Sequence, residues 1–184
     1  MTDLPLFHRA YGVGLARLPA PIRDLHASAG ERRFEGRATV ERGDTLLARA
    51  TAVLLRFPPA GIDQHLSLRI RCVGRQEEWA RQFDGRPMVT HLSAGSTPDS
   101  VVERRFPVSA QSRLHPDASG VTQTLIGLRF LGLPVPRALW PRLDVREGST
   151  GDRYTFQMRI EDPWGRLVVA YRGWLEPAGG SAEQ

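Results

Sequence analysis

The sequence contains neither lysine nor asparagine, and its one cysteine is Cys72. A single cysteine excludes an internal disulfide and a thiolate metal cluster. All 25 cationic residues are therefore arginines, which indicates the codon bias of a G+C-rich genome. These arginines are scattered, and their longest runs are the pairs Arg32-Arg33 and Arg104-Arg105. A net charge of +5 without a basic cluster argues against a phosphate-binding surface, so we predict no nucleic-acid partner.

The sequence also lacks a long hydrophobic run, since no stretch approaches the ~20 apolar residues that a membrane-spanning helix needs. The segment from Met1 to Arg9 has neither the charged start nor the apolar centre of a signal peptide. Together with the single cysteine, this pattern predicts a cytoplasmic protein without a membrane span. The length of 184 residues predicts one domain over residues 1–177 and a flexible tail over residues 178–184.

Helical periodicity occurs in two places. Apolar residues recur at helical spacing from Phe7 to Leu18, where Pro19 ends the pattern, and Pro21 begins a short second helix. A stronger pattern runs from Asp44 to Phe57, with one apolar stripe made of Leu46, Leu47, Ala50, Val53, Leu54 and Phe57. We expect Asp44 to cap this helix and the stripe to pack on a sheet.

The rest of the chain has the alternating pattern of β-strands. Residues 34–41 alternate between apolar and polar, and strands dominate from Gln64 to Leu175. Asp84-Gly85 is typical of a hairpin turn, and Pro107 interrupts a strand predicted from Val101 or places it at an edge. Short connections favour antiparallel neighbours. We therefore predict an α+β fold: a strongly curved antiparallel sheet or open β-barrel of seven or eight strands, with an N-terminal helical segment and one amphipathic helix packed on the sheet.

Four segments resemble a known family. They are Gly36–Gly43, Glu78–Gly85, Gly127–Pro136 and Tyr171–Pro177. Together they are similar to the bacterial domain-of-unknown-function family 4166, and the resemblance extends from about Leu18 to Pro177. It implies one intact domain and assigns no chemistry. Members of the family occur alone, behind saccharopine-dehydrogenase-like reductases or after membrane segments. This chain departs from the pattern in a polar loop over Ser93–Ser100.

The strand around residue 80 carries the main candidate site. Alternation places Trp79, Arg81 and Phe83 on one face, with a guanidinium between two aromatic rings. A buried arginine needs a partner, and Glu103 on a later strand is the obvious one. The pair either braces the barrel as a structural ion pair or holds the carboxylate or carbonyl of a ligand.

Further candidates lie on other strands. Tyr171 alternates with Gly173 on the last strand, which leaves a gap for a ligand or marks a tight bend. Arg129 lies in an apolar run and raises the same question of a partner as Arg81. His91 is a candidate general base, although such a histidine is more often exposed or hydrogen-bonded. The other histidines have no metal-binding spacing, so we predict no metal and no cofactor: His8, His26, His65 and His115.

These residues support three hypotheses. The first is an apolar pocket for a hydrophobic or lipid-like small molecule, anchored by Arg81, Glu103 and Tyr171. The second is an isomerase or cyclase in the same cavity, in which Glu103 or His91 moves a proton and Arg81 stabilises negative charge. The third is an accessory domain that docks on an oxidoreductase, which rests only on the fusions of the family.

Overall fold

The structure is a computed structural model that describes residues 5–26, 30–73 and 76–179. Eleven strands follow one another along the chain: β1 (Glu31–Arg42), β2 (Gly61–Val73), β3 (Gln76–Phe83), β4 (Arg86–Ala94), β5 (Ser100–Arg105), β6 (Val108–Asp117), β7 (Gly120–Phe130), β8 (Leu133–Pro134), β9 (Arg142–Thr150), β10 (Arg153–Glu161) and β11 (Leu167–Pro177). The helices are α1 (Leu6–Tyr11), α2 (Ala20–His26) and α3 (Leu46–Leu54). Two 3-10 helices cover Gly12–Arg17 and Arg137–Leu139. None of the helices in these ranges has the length and apolar character needed to cross a membrane.

Ten of the strands form a closed antiparallel barrel. Neighbours along the sheet follow the order β6-β5-β4-β3-β2-β1-β11-β10-β9-β7, and β6 also pairs with β7, which closes the ring. Strand β8 lies outside the ring, against the end of β7. The predicted antiparallel curvature is confirmed, whereas the predicted open edge and the count of seven or eight strands are wrong. One source of the miscount is Pro107, which divides the predicted Val101–Leu114 strand into the hairpin of β5 and β6.

Strands β1 and β11 approach each other closely where they pair. Residues Phe34, Ala38 and Val40 are buried on the inner face of β1, as the alternation predicts. Gly36 lies between them, and a Cβ atom on it would stand 1.9 Å from the Trp174 carbonyl oxygen of β11. A side chain at this position is therefore incompatible with the observed approach of the two strands.

Helix α3 has the opposite orientation from the predicted one. Its buried residues are Ala48 and Ala52, while the predicted core-facing leucines and valine are exposed. Ala48 lies close to Gly43, since a Cβ on Gly43 would stand 2.9 Å from the Cβ of Ala48 and 1.7 Å from the Leu167 carbonyl oxygen of β11. Thr45 caps the helix by accepting a hydrogen bond from the Ala48 amide at 3.1 Å, so the prediction of Asp44 as the cap is wrong.

The up-and-down order of the strands places the connections at two ends. At the α3 end lie α3 itself and the connections 84–85, 106–107, 131–141 and 162–166. At the N-terminal end lie α1, α2 and the connections 95–99, 118–119 and 151–152. Phe7 and His26 from these two helices belong to the buried groups that fill the N-terminal end. The interior of the barrel lies between these two ends.

Candidate functional site

The barrel encloses a cavity of about 360 Å³. Eight of the ten barrel strands contribute side chains to its wall, and the lining is mainly aliphatic and aromatic, including Leu66, Leu68, Leu125, Leu143, Val145, Phe156, Met158 and Ile160. Leu47 and Leu55 from the α3 region and Leu139 from the second 3-10 helix cover the α3 end of the cavity. The volume lies in the range of pockets that hold small molecules in proteins.

Three residues of β3 enter this cavity together. Trp79, Arg81 and Phe83 all line it, in agreement with the alternation of the sequence. The Arg81 guanidinium carbon lies 4.9 Å from the centre of the Trp79 ring, which is a cation–π distance. The Arg81 Nη1 donates a hydrogen bond to the Thr90 hydroxyl at 3.1 Å. The arginine is thus held on the inner wall by an aromatic face and a neutral acceptor.

A second arginine joins this group and forms a polar wall with it. Arg105 Nη2 donates to the same Thr90 hydroxyl at 3.0 Å and lies 3.4 Å from the Glu103 carboxylate. The Arg105 side chain is 14% exposed, whereas that of Glu103 is 44% exposed. Glu103 lines the cavity as predicted, but within the described residues its ion-pair partner is Arg105 rather than Arg81. Two cations and one carboxylate leave this wall with one excess positive charge.

Tyr171 contributes a hydroxyl close to the polar wall. Burial raises the pKa of its phenol, and the positive charges of Arg81 and Arg105 oppose that effect. The neutral phenol donates a hydrogen bond to the Met158 sulfur at 3.3 Å. The neighbouring Gly173 does not open a gap for a ligand, because a Cβ there would lie 2.1 Å from the Arg37 carbonyl oxygen. Gly173 instead allows the close approach of β1 to β11.

A second polar group forms the floor of the cavity at the N-terminal end. Glu147 lines the cavity, and its carboxylate lies 2.8 Å from Nε2 of the fully buried His26. Gln123 donates a second hydrogen bond to Glu147, at 3.3 Å. The Tyr154 phenol forms a hydrogen bond with the same carboxylate. Burial and then the negative charge of Glu147 raise the pKa of this phenol well above its usual value. A carboxylate, an imidazole and a phenol therefore meet at one end of an apolar chamber.

A second acidic side chain is buried behind the floor. Glu77 accepts a hydrogen bond from the Trp79 indole nitrogen at 2.9 Å and is 1% exposed. Burial raises the pKa of this carboxyl, while the hydrogen bond from Trp79 and the positive charges of His26 and Arg32 oppose the rise. Glu77 does not line the cavity and stabilises the position of the Trp79 ring that does.

Two of the sequence candidates lie elsewhere. His91 is exposed on β4 and is absent from the cavity lining. Arg129 is exposed on β7, where its Nη1 donates to the Gly132 carbonyl at 3.0 Å. Both residues occupy outward positions in their strands, because alternate residues of a barrel strand face outward. In the described ranges, no group of three or more His, Cys, Asp and Glu side chains is placed to hold a metal ion.

Sequence reasoning missed Arg105, Glu147 and His26. Arg105 has the same signal as Glu103, since it lies two residues later on the same face of its strand, and this signal was available in the sequence. Glu147 has the alternating pattern of an inward residue on β9, with Val145 before it, and this signal was available in the sequence. His26 had no such signal, since nothing local places the end of α2 beneath a residue 121 positions away.

Comparisons with known proteins identify a family. The family model described as "Domain of unknown function (DUF4166)" matches residues 18–175. No curated protein matches the chain. A solved structure described as an isomerase-inactive variant of GphF DH1 is similar over 91% of this chain and 82% of its own, with 15% sequence identity and a TM-score of 0.20. A likeness at that TM-score carries no argument about function.

Proposed function

The chain belongs to the DUF4166 family, and we propose that its barrel binds a hydrophobic small molecule with a single anionic head group. One observation carries the proposal: a closed barrel of ten strands surrounds a cavity of about 360 Å³ with a mainly apolar lining. Barrels of about eight strands are commonly filled by side chains or hold one small ligand. An apolar lining of this kind favours a ligand that removes its own apolar surface from water on binding.

The charge of the head group follows from the polar wall. Arg81 has a hydroxyl and an aromatic ring as its partners among the described residues, while Glu103 balances Arg105. A charge in an apolar interior is costly unless it is paired. A carboxylate placed between Arg81 and Arg105 neutralises the excess charge and accepts hydrogen bonds from both. A neutral head group such as an alcohol accepts hydrogen bonds but leaves the excess charge in place, and a cationic head group does neither.

The length of the tail follows from the volume. A methylene group is similar in volume to a water molecule, which takes up about 30 Å³ in liquid water. The cavity therefore holds on the order of ten carbon atoms. Entry is possible along the seam between β7 and β9. In the described chain these two strands pair at only two positions, beginning with Val121 opposite Glu147. Toward the α3 end they diverge, and Leu139 and Pro141 line the cavity there.

The test is a series of amphiphiles that share one tail and differ in head charge. Anilinonaphthalene sulfonate serves as the fluorescent probe, and dodecanoate, dodecanol and dodecyltrimethylammonium compete with it. We expect dodecanoate to displace the probe most strongly. Replacing Arg81 by methionine should weaken dodecanoate binding by about tenfold or more, the loss expected for a hydrogen bond to a charged group, and weaken dodecanol binding clearly less, because only a neutral hydrogen bond is lost there.

Two further variants separate the cavity from the surface. Arg129→Met removes an arginine from the outer face and should leave binding unchanged. Ala110→Phe places a ring in the cavity, since Ala110 lines it, and should abolish binding of all three amphiphiles. The proposal is wrong if the wild-type protein binds none of them, or if the Ala110→Phe variant binds them as the wild type does.

A second candidate function is acid–base catalysis in the same cavity, favoured by the meeting of Glu147, His26 and Tyr154 at its floor. As a base, the Glu147 carboxylate would take a proton from a carbon next to a carbonyl and return it to the same or a neighbouring carbon. His26 would hold the carboxylate in place. The proton returns to the substrate, so this isomerisation needs no further reactant.

Proton transfer by Glu147 predicts hydrogen exchange on a bound ketone. A medium-chain methyl ketone incubated with the protein in heavy water should gain deuterium beside its carbonyl, as measured by mass spectrometry. Glu147→Gln should abolish this exchange while dodecanoate binding persists. Exchange at the uncatalysed rate in the wild type would exclude the catalytic candidate and leave binding as the function.

A further inference from the structure

Large apolar side chains are exposed mainly at one end of the barrel. Thirteen of them are exposed among the described residues, and eleven of these lie in α3 or in the connections and adjoining strand ends of the α3 end. We call these eleven the apolar rim: Leu46, Leu47, Val53, Leu54, Ile62, Phe106, Phe130, Leu131, Leu133, Leu139 and Trp164. Their exposed fractions range from 43% to 86%. The two outside it are Val13 and Val89.

The rim is not explained by packing within the chain. Helix α3 uses two alanines for contact with the barrel and presents Leu46 and Val53 outward, at 85% and 77% exposure. Phe106 is 85% exposed in a turn of two residues. Isolated exposed apolar residues are normal on proteins, but their concentration at one end marks an interaction surface.

The same end carries an excess of positive charge. Between Arg129 and Arg142 the sequence has three arginines, four of the rim residues and no acidic residue. Across the whole α3 end, residues 43–63, 84–86, 106–107, 129–142 and 162–166 contain seven arginines and four aspartates. One of those aspartates, Asp162, is buried and bonded to Arg166. Apolar side chains interleaved with arginines are typical of proteins that bind the interface of an anionic membrane.

The rim is continuous with the cavity. Leu47 and Leu139 line the cavity and are also exposed, at 43% and 54%. An apolar path therefore leads from the barrel interior to the rim, over the seam between β7 and β9. A surface of this kind lets an amphiphile pass between a bilayer and the cavity without crossing water.

We propose that the α3 end of the barrel docks on the surface of an anionic lipid bilayer, with the apolar rim inserted among the lipids and the arginines on the lipid head groups. The docking proposal rests on the apolar rim and on the positive charge around it, and it does not depend on the proposed ligand. A second copy of the chain fits the surface less well. A symmetric dimer buries the same patch of both subunits, so both sides of the interface would carry the positive charge of Arg129, Arg137 and Arg142.

Co-sedimentation with vesicles tests the docking. The probes are vesicles of phosphatidylcholine alone and vesicles in which phosphatidylglycerol replaces one-third of it. We expect the wild-type protein to bind the mixed vesicles, with weaker binding in high salt. Phe106→Asp combined with Leu133→Asp should weaken this binding by at least about tenfold, because two inserted side chains are lost. The matched control, Val13→Asp with Val89→Asp, should bind as the wild type does.

Each other outcome contradicts the proposal. Wild-type protein that stays in solution with both vesicle types excludes membrane docking. Equal losses in the rim variant and the control variant show that the rim has no special role. A dimer in light scattering that the rim variant dissociates shows that a second copy covers the rim. Dodecanoate binding without vesicles should persist in the rim variant, which separates a failure of docking from a failure of the ligand proposal.

Discussion

Replacing Gly36 by alanine is expected to lower the free energy of unfolding by about 3 kcal/mol or more, which is at or above the usual cost of overpacking. The new Cβ atom would lie 1.9 Å from the Trp174 carbonyl oxygen, and both atoms belong to backbone or are fixed to it. Strands β1 and β11 pair over nine positions, so relief requires the whole pair to separate. Urea denaturation followed by tryptophan fluorescence measures the loss.

The barrel offers a matched control in another strand glycine. A Cβ on Gly127 would meet the Gln111 Cβ at 3.3 Å, which a small shift of that side chain relieves. Gly127→Ala should therefore change the free energy of unfolding by no more than about 1 kcal/mol. Alanine loses less conformational entropy than glycine on folding, which offsets part of the cost of the contact. If Gly36→Ala behaved like Gly127→Ala, the close approach of β1 to β11 at Gly36 would be wrong.

Replacing Glu147 by alanine is expected to cost about 3 kcal/mol, the lower end of the range for removing one partner of a buried pair. His26 is fully buried, and the Glu147 carboxylate is the hydrogen-bond partner of its Nε2. Gln123 also loses an acceptor in this variant. Without Glu147, the buried His26 imidazole either stays neutral without a hydrogen-bond partner for its Nε2 or carries an unpaired positive charge. Both alternatives cost free energy in an apolar environment.

Two controls separate the pair from other effects at this site. Glu147→Gln keeps an oxygen acceptor for His26 and should cost clearly less than the alanine variant in urea denaturation. Asp144→Ala removes an exposed ion pair with Arg146 on the same strand and should change stability by less than about 1 kcal/mol.

The outcome also bears on function. If Glu147→Ala were as stable as the wild type, the carboxylate would be held in the cavity at no benefit to folding. That is the behaviour of functional groups, which commonly reduce stability where activity needs them. A large loss of stability would instead assign the pair a structural role in closing the floor, and the ketone-exchange experiment would then decide whether it also transfers protons.

The sequence predicted the inner wall well where the strands are regular. Alternation alone placed Trp79, Arg81 and Phe83 on one face, and the structure brings all three into the cavity. The same rule placed Glu103 and Tyr171 there. The period of two is a local property of extended backbone, so it is readable without knowledge of the fold.

The helix shows where the same reasoning fails. The stripe from Leu46 to Phe57 is a correct helical periodicity, and periodicity does not state which surface the stripe meets. In the structure, the buried residues of the helix are Ala48 and Ala52 instead. The leucines and the valine of the stripe are left exposed and become part of the proposed membrane surface, whereas Phe57 beyond the helix is buried.

The sequence by itself determined the local structure of this protein: antiparallel strands, their inner and outer faces, the hairpin at Asp84-Gly85, and the absence of disulfides. Only the tertiary structure decided that ten strands close into a ring, that Arg105 joins Arg81 on one wall, and that His26 lies beneath Glu147. The physical reason is the range of the forces involved. Backbone geometry and alternation act between neighbours in the chain, whereas closure, charge pairing and the lining of the cavity depend on residues that meet only after the whole barrel has formed.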